Sequence, residues 1–109
     1  MDPVGRRYKW GVSSTRLEST SLEAAAAGFS ALGDPVRLHI LADLGEGERC
    51  MCDLLEQIDI APNLLSYHLR VLREAGLVAA SRRGRWVDYR LEVDAIDALR
   101  SAIPEGDGT

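Results

Sequence analysis

Ala61-Pro62-Asn63-Leu64-Leu65-Ser66-Tyr67-His68-Leu69-Arg70-Val71-Leu72-Arg73-Glu74-Ala75-Gly76 decides how the rest of this 109-residue chain is read. The stretch reads as a helix stopped at Gly76, because glycine takes the left-handed conformation that ends a helix at least steric cost. At about 100° per residue, Leu65, Leu69 and Leu72 share one face, with Leu64, His68, Val71 and Ala75 on its shoulder. Asn63, Ser66, Tyr67, Arg70, Arg73 and Glu74 fall on the other face. That face carries amide, hydroxyl, phenol and guanidinium groups, which hydrogen-bond base edges and phosphates. Taken alone, the pattern equally suits an ordinary amphipathic surface helix. The segment C-terminal to it decides between the two.

After Gly76 come Val78 to Arg83, then Gly84, then Arg85 to Leu91. Val87, Tyr89 and Leu91 alternate with Trp86, Asp88 and Arg90, the period of a strand with one apolar face. Gly84 sits where a tight hairpin turn needs it, and Arg82, Arg83 and Arg85 cluster at the tip. Before the opening helix, Asp59 to Pro62 makes a turn, preceded by a short helix over about Met51 to Ile58. Short helix, tight turn, polar-faced helix and arginine-tipped hairpin form the pattern of a winged helix-turn-helix. In that arrangement the second helix enters the major groove and the hairpin reaches phosphates or the neighbouring minor groove. Asn63, Ser66 and Tyr67 are the candidates for base contact, and Arg70, Arg73, Arg82, Arg83 and Arg85 for phosphates. His68 lies within the apolar stripe and reads as a structural histidine bonded beneath the helix.

The remaining elements are helical. Ser21 is a candidate cap for a helix through about Ala31, with Leu22, Ala25, Ala26, Phe29 and Leu32 apolar at helical spacing. Its alanine-rich face suits close packing against another helix. Asp34-Pro35 starts the next helix, with Asp as N-cap and Pro at the first helical position. Val36, Ile40, Leu41 and Leu44 turn inward, and Arg37 and His39 are expected to face water. A last helix over about Asp94 to Ile103 carries Ile96, Leu99 and Ile103 in one stripe. The expected fold is therefore mainly α with a small β-hairpin, ordered ααααββα. Residues 1–20, including Tyr8 and Trp10, read as a flexible tail, residues 21–103 as one domain, and residues 104–109 as a polar C-terminal tail.

The net charge of −4 argues weakly against a nucleic-acid partner, but the average hides an asymmetry. From Asn63 to Arg90 the sequence holds six arginines and two acids, a local +4 set against −8 elsewhere. Phosphate attraction is short-ranged in salt, so a basic patch on an acidic body still suits double-stranded DNA. No run of about 18 apolar residues exists to cross a membrane. No long apolar segment follows the basic residues near Met1, so no secretory signal is read there. The cytoplasm is the expected location. An enzyme is not expected, since the sequence offers no nucleophilic triad, nucleotide loop or paired catalytic carboxylates.

The two cysteines, Cys50 and Cys52, stand one residue apart. A disulfide between them would close a tiny loop, a poor staple, so in a reducing compartment the pair reads as metal-binding or redox-sensing. Thiolates prefer soft ions, and a thiol near a helix N-terminus is expected to have a lowered pKa. On a regular helix the two side chains would point roughly 200° apart. Both grip one ion if the chain bends there or if the helix begins after Cys50.

Three segments resemble the ArsR/SmtB family of metal- and metalloid-responsive repressors. Ala31 to Leu41 resembles its opening signature, Ser66 to Val78 its recognition helix, and Arg83-Gly84-Arg85 through Leu91 its wing. The resemblance covers about Phe29 to Ile103. It implies a homodimer built through the first and last helices, an inverted-repeat operator, and repression lifted by an inducer. Glu48 to Leu55 resembles the family's metal-binding box. Arsenite-type members carry Cys-x-Cys there, often with a third cysteine three residues on, a place taken here by Leu55. Other members add cysteines in an N-terminal arm, which this arm lacks, or histidines and acids on the last helix. No histidine follows His68, and Asp94 and Asp97 alone do not make such a site. The implied inducer is As(III) or Sb(III) on Cys50 and Cys52, with no constitutive cofactor. Two alternatives remain at this point: a thiol redox sensor using the same pair, and a dimeric interaction module without DNA binding.

Overall fold

A computed structural model describes residues 19–106. Tyr8 and Trp10 of the expected tail lie outside that range. The elements in order are α1 (Ser19–Leu32), α2 (Pro35–Leu44), β1 (Arg49–Cys50), α3 (Met51–Gln57), α4 (Pro62–Glu74), β2 (Val78–Arg83), β3 (Trp86–Leu91) and α5 (Val93–Ala102). The mainly helical winged helix-turn-helix expected from the sequence is present. The first helix begins at Ser19, so Ser21 lies inside it and is not its cap.

The hairpin is not alone. β1 joins it to give a three-stranded antiparallel sheet in the order β1-β3-β2, with Arg49 opposite Tyr89 and Cys50 opposite Asp88. Two residues are too few to show a period, so nothing in the local sequence marks this strand. β2 and β3 pair from Val78–Leu91 to Arg83–Trp86 around Gly84-Arg85. Gly84 has φ +63°, a left-handed backbone that glycine adopts without strain.

Helix ends follow local chemistry. Asp34 caps α2 by accepting the backbone N–H groups of Val36 at 2.8 Å and Arg37 at 3.2 Å. Desolvation works to raise its carboxyl. The Arg37 and Val36 N–H groups, with the neighbouring His68 and Arg37 side chains, outweigh that and hold it below its ordinary value. At the end of α4 the Gly76 N–H donates to the Arg73 carbonyl and the Leu77 N–H to that of Leu72. These two bonds close a Schellman motif around Gly76, whose φ is +80°.

The core gathers Ile40 and Leu44 from α2, Leu54 from α3, and Leu65, Leu69 and Leu72 from α4. Ala31, Ile58, Leu77, Val78, Tyr89 and Leu99 complete it. α4 is thus held from beneath by the apolar face its sequence presents. α1 packs on α5 through Gly28, where an added Cβ would lie 2.8 Å from a Leu99 methyl. Leu22 and Phe29 of α1, with Val93 and Ile103 at the two ends of α5, remain exposed. A single chain does not cover these side chains.

Candidate nucleic-acid interface and thiol pair

α4 starts at Pro62 with Ala61 as N-cap, and the Ala61 carbonyl accepts the N–H groups of Leu64 and Leu65. Asn63, Ser66, Tyr67, Arg70 and Arg73 are all exposed along it. The Arg70 guanidinium lies 5.7 Å from the Tyr67 ring centre, within cation–π range. That ring in turn meets His68 edge-on at 5.2 Å. The phenol and guanidinium are thereby partly ordered before any ligand arrives.

His68 is buried beneath α4, as its place in the apolar stripe indicates. Its Nδ1 lies 3.0 Å from Arg37 Nη1. A guanidinium only donates, so Nδ1 accepts and the proton of the neutral ring sits on Nε2. Arg37 also donates from Nε to the Ala31 carbonyl at 2.6 Å. The expectation that Arg37 faces water is therefore corrected. Its long side chain reaches back to α1 and across to α4, tying three helices together. His39 is exposed, 4.0 Å from Asp43.

The hairpin tip presents Arg82 and Arg85, which make no ion pair among the described residues, and Arg83, which does. Arg83 donates to both carboxylate oxygens of Asp88, from Nε at 2.8 Å and from Nη2 at 3.1 Å. This bidentate clamp holds the Asp88 carboxyl below its ordinary value, and Asp88 raises the guanidinium in return. The arginine expected to serve phosphates alone is thus also a brace of the wing. Its partner was legible in principle: with a two-residue loop at Gly84-Arg85, Arg83 and Asp88 become diagonal neighbours.

Cys50 is both the last residue of β1 and the N-cap of α3, with extended backbone at φ −87° and ψ 172°. Cys52 lies in the first turn. The helix begins after Cys50, which meets the condition for both sulfurs to approach one ion. Both thiols are free. The Cys50 N–H donates to Asp53 Oδ2 at 3.2 Å. Cys52 departs from expectation, since its pKa is raised and not lowered. Repulsion between two thiolates at Cys50 and Cys52 is the main cause, followed by desolvation, the thiol–thiol interaction, and the charges of Asp53 and Glu56. These outweigh the pull of the helix terminus. Among the described residues no cluster of three or more His, Cys, Asp or Glu is arranged to hold a metal. Two free thiols are donors that suit a soft ion, and any third ligand would have to come from elsewhere.

Met51 stands between the cysteines and packs against the core. The Ser66 hydroxyl donates to its Sδ at 3.6 Å. One flank of α4 is therefore in contact with the segment that carries the thiols. The sequence marks Ser66 for bases but says nothing of this contact, which joins residues 15 apart through the turn.

A groove-sized helix with a polar outer face, supported by a shorter helix and followed by a basic hairpin, defines a winged helix-turn-helix DNA-binding domain. Residues 34–80 match the model of the arsR family of bacterial regulatory proteins. An HTH-type transcriptional regulator of Methanocaldococcus jannaschii is 36% identical over 84 residues, covering 76% of this chain and 94% of that one. The arsenical resistance operon repressor of Bacillus subtilis is 38% identical over 74 residues, covering 67% and 70%. A homodimeric winged helix-turn-helix DNA-binding domain from Mycobacterium bovis superposes with TM-score 0.70 at 28% identity, covering 79% of this chain and 81% of that one. The chain belongs to the ArsR family, whose members are DNA-binding transcriptional regulators and not enzymes. No helix among the described residues is long and apolar enough to cross a membrane.

Proposed function

We propose that this chain is a cytoplasmic, homodimeric repressor of a metalloid-resistance operon, released from its inverted-repeat operator when As(III) or Sb(III) binds Cys50 and Cys52. Asn63, Ser66 and Tyr67 read base edges, while Arg70, Arg73, Arg82, Arg83 and Arg85 hold phosphates. The observation that carries the reading is the place of the thiol pair at the start of α3, with Met51 between the cysteines accepting the Ser66 hydroxyl of the recognition helix. The likeness to a repressor of an arsenical resistance operon supports the inducer class. Exposed Leu22 and Phe29 on α1, Val93 at the start of α5 and Ile103 just past its end, and the homodimeric structural neighbour, support the dimer.

The chemistry balances without a redox partner. Arsenous acid carries three hydroxyls. Two As–O bonds break, two As–S bonds form, and each departing hydroxide leaves as water with one thiol proton. The third arsenic ligand stays a hydroxyl or is replaced by a small-molecule thiol. Drawing the two sulfurs onto one atom distorts the first turn of α3, and Met51 passes that change to α4 at Ser66. This is coupling through a two-state element.

The test is a gel shift of the chain's upstream DNA under reductant with As(III), Sb(III), Cd(II), Zn(II) and, separately, peroxide. Release by As(III) and Sb(III) is expected for wild type and not for Cys50→Ser or Cys52→Ser. Release by Zn(II) in both variants would remove the site assignment. Release by peroxide alone would move the function to thiol oxidation. A chain that never shifts the DNA in a salt-dependent way would be an interaction module.

A further inference from the structure

Cys50 belongs to two elements at once, and the second of them leads to the wing. As the last residue of β1 it is paired directly with Asp88 on β3, and Asp88 is paired on its other side with Ser81 of β2. Directly opposed residues project from the same side of a sheet, with Cβ atoms roughly 4.5–5.5 Å apart. Cys50, Asp88 and Ser81 therefore form one row across the sheet. Arg83 and Trp86, each two residues along its strand from that row, lie on the same side. Asp88 is held there by both donors of Arg83, and only 14% of its side chain is exposed. The Arg83 guanidinium feels Asp88 first and, more weakly, Cys50 and Glu48. One thiol of the pair, Cys50, and the wing's brace thus stand in one row of the sheet.

We infer that Asp88 is a positioning residue that carries thiol occupancy to the wing, so that binding at Cys50 and Cys52 alters the hairpin's grip on DNA as well as the recognition helix. The inference rests on the soft-ion reading of the pair. When Cys50 Sγ is drawn toward Cys52, Cys50 turns as the hinge between β1 and α3. Its pairing with Asp88 changes, the two-bond clamp on Arg83 loosens, and the neighbouring Arg82 and Arg85 lose their fixed aim. A strand of two residues resists such a shift weakly, because it has few ladder bonds to break.

Trp86 provides a reporter on the wing itself. It pairs with Arg83 and is 51% exposed. In full-length Trp10→Phe protein it is the remaining tryptophan. The experiment titrates that protein with arsenite under reductant. It reads Trp86 emission and iodide quenching, arsenite binding by equilibrium dialysis, and operator affinity with and without arsenite. The expected result is a Trp86 change that saturates with arsenite binding. In Asp88→Asn that change is lost while arsenite still binds. The ratio of operator affinities without and with arsenite falls at least about threefold below the wild-type ratio. A merely structural role for Asp88 would lower both affinities and leave their ratio alone. Arg83→Gln, which removes the clamp from the other side, should reduce the ratio likewise, and it serves if Asp88→Asn fails to fold. Arsenite that releases DNA while Trp86 stays silent, or a wild-type ratio in both variants, overturns the wing relay and leaves the soft-ion reading standing. Arsenite that does not bind the wild-type protein removes both.

Discussion

Gly76 is the residue on which the end of the recognition helix turns. Its φ of +80° leaves nothing within 4 Å of where a Cβ would stand, so a side chain there meets backbone strain and no clash. Gly76→Ala is expected to cost about 1 kcal/mol, the left-handed penalty less the entropy alanine removes from the unfolded chain. A urea midpoint unchanged from wild type would contradict the motif. Cys52 shows how a neighbour overrides a local rule. A helix N-terminus favours a thiolate, yet a second thiolate so close to Cys50 is disfavoured, and the Cys52 pKa is raised. The sign of the consequence depends on the ligand. Cadmium must displace that proton, so its affinity should rise with pH toward the raised Cys52 value, by up to about tenfold per unit for each proton displaced. Arsenous acid condenses with neutral thiols and releases water, so its affinity should be flat across the neutral range. Calorimetric titration of both ions at several pH values checks the contrast, and an arsenite affinity climbing as steeply as that of cadmium would contradict it.

At the scale of elements, the pair of helices and the hairpin were legible because their signals are local and repeated. α4 carries its leucine stripe over three turns, and Gly76 and Gly84 mark its end and the wing's turn by conformations other residues resist. β1 was not legible, since two residues have no period and their partner lies far along the chain. Arg37 was misread for a related reason. The wheel turns its Cα outward, but its long side chain reaches an acceptor on α1 and another on α4. The chemically rich half of the candidate site was visible as residue types, the cysteines and the arginines. The contacts joining it, Met51 with Ser66 and Asp88 with Arg83, arise from tertiary placement. That difference bears on the wing. Arg82 and Arg85, which pair with no described acid, should act as plain phosphate contacts. Arg82→Gln or Arg85→Gln should each lower the slope of log affinity against log salt by about one unit for every protomer that loses the contact. Anisotropy across a salt series measures this, and an unchanged slope would take that arginine off the DNA.

The whole molecule sets a local +4 on a chain whose net charge is −4. Such an asymmetry is expected to turn the basic face toward DNA and to hold down non-specific attachment. The apolar residues left open on α1 and at the ends of α5 are not covered by a single chain. The proposed function reduces to one coupling between two places, the thiols at β1–α3 and the outer face of α4 with its wing. Such coupling is reciprocal by thermodynamic necessity. The most direct measurement is therefore the affinity of arsenite for the reduced protein, free and saturated with operator DNA. The account predicts that bound operator weakens arsenite binding by the same factor by which arsenite weakens operator binding, and that Cys50→Ser abolishes both effects. Equal arsenite affinity in the presence and absence of operator would contradict it.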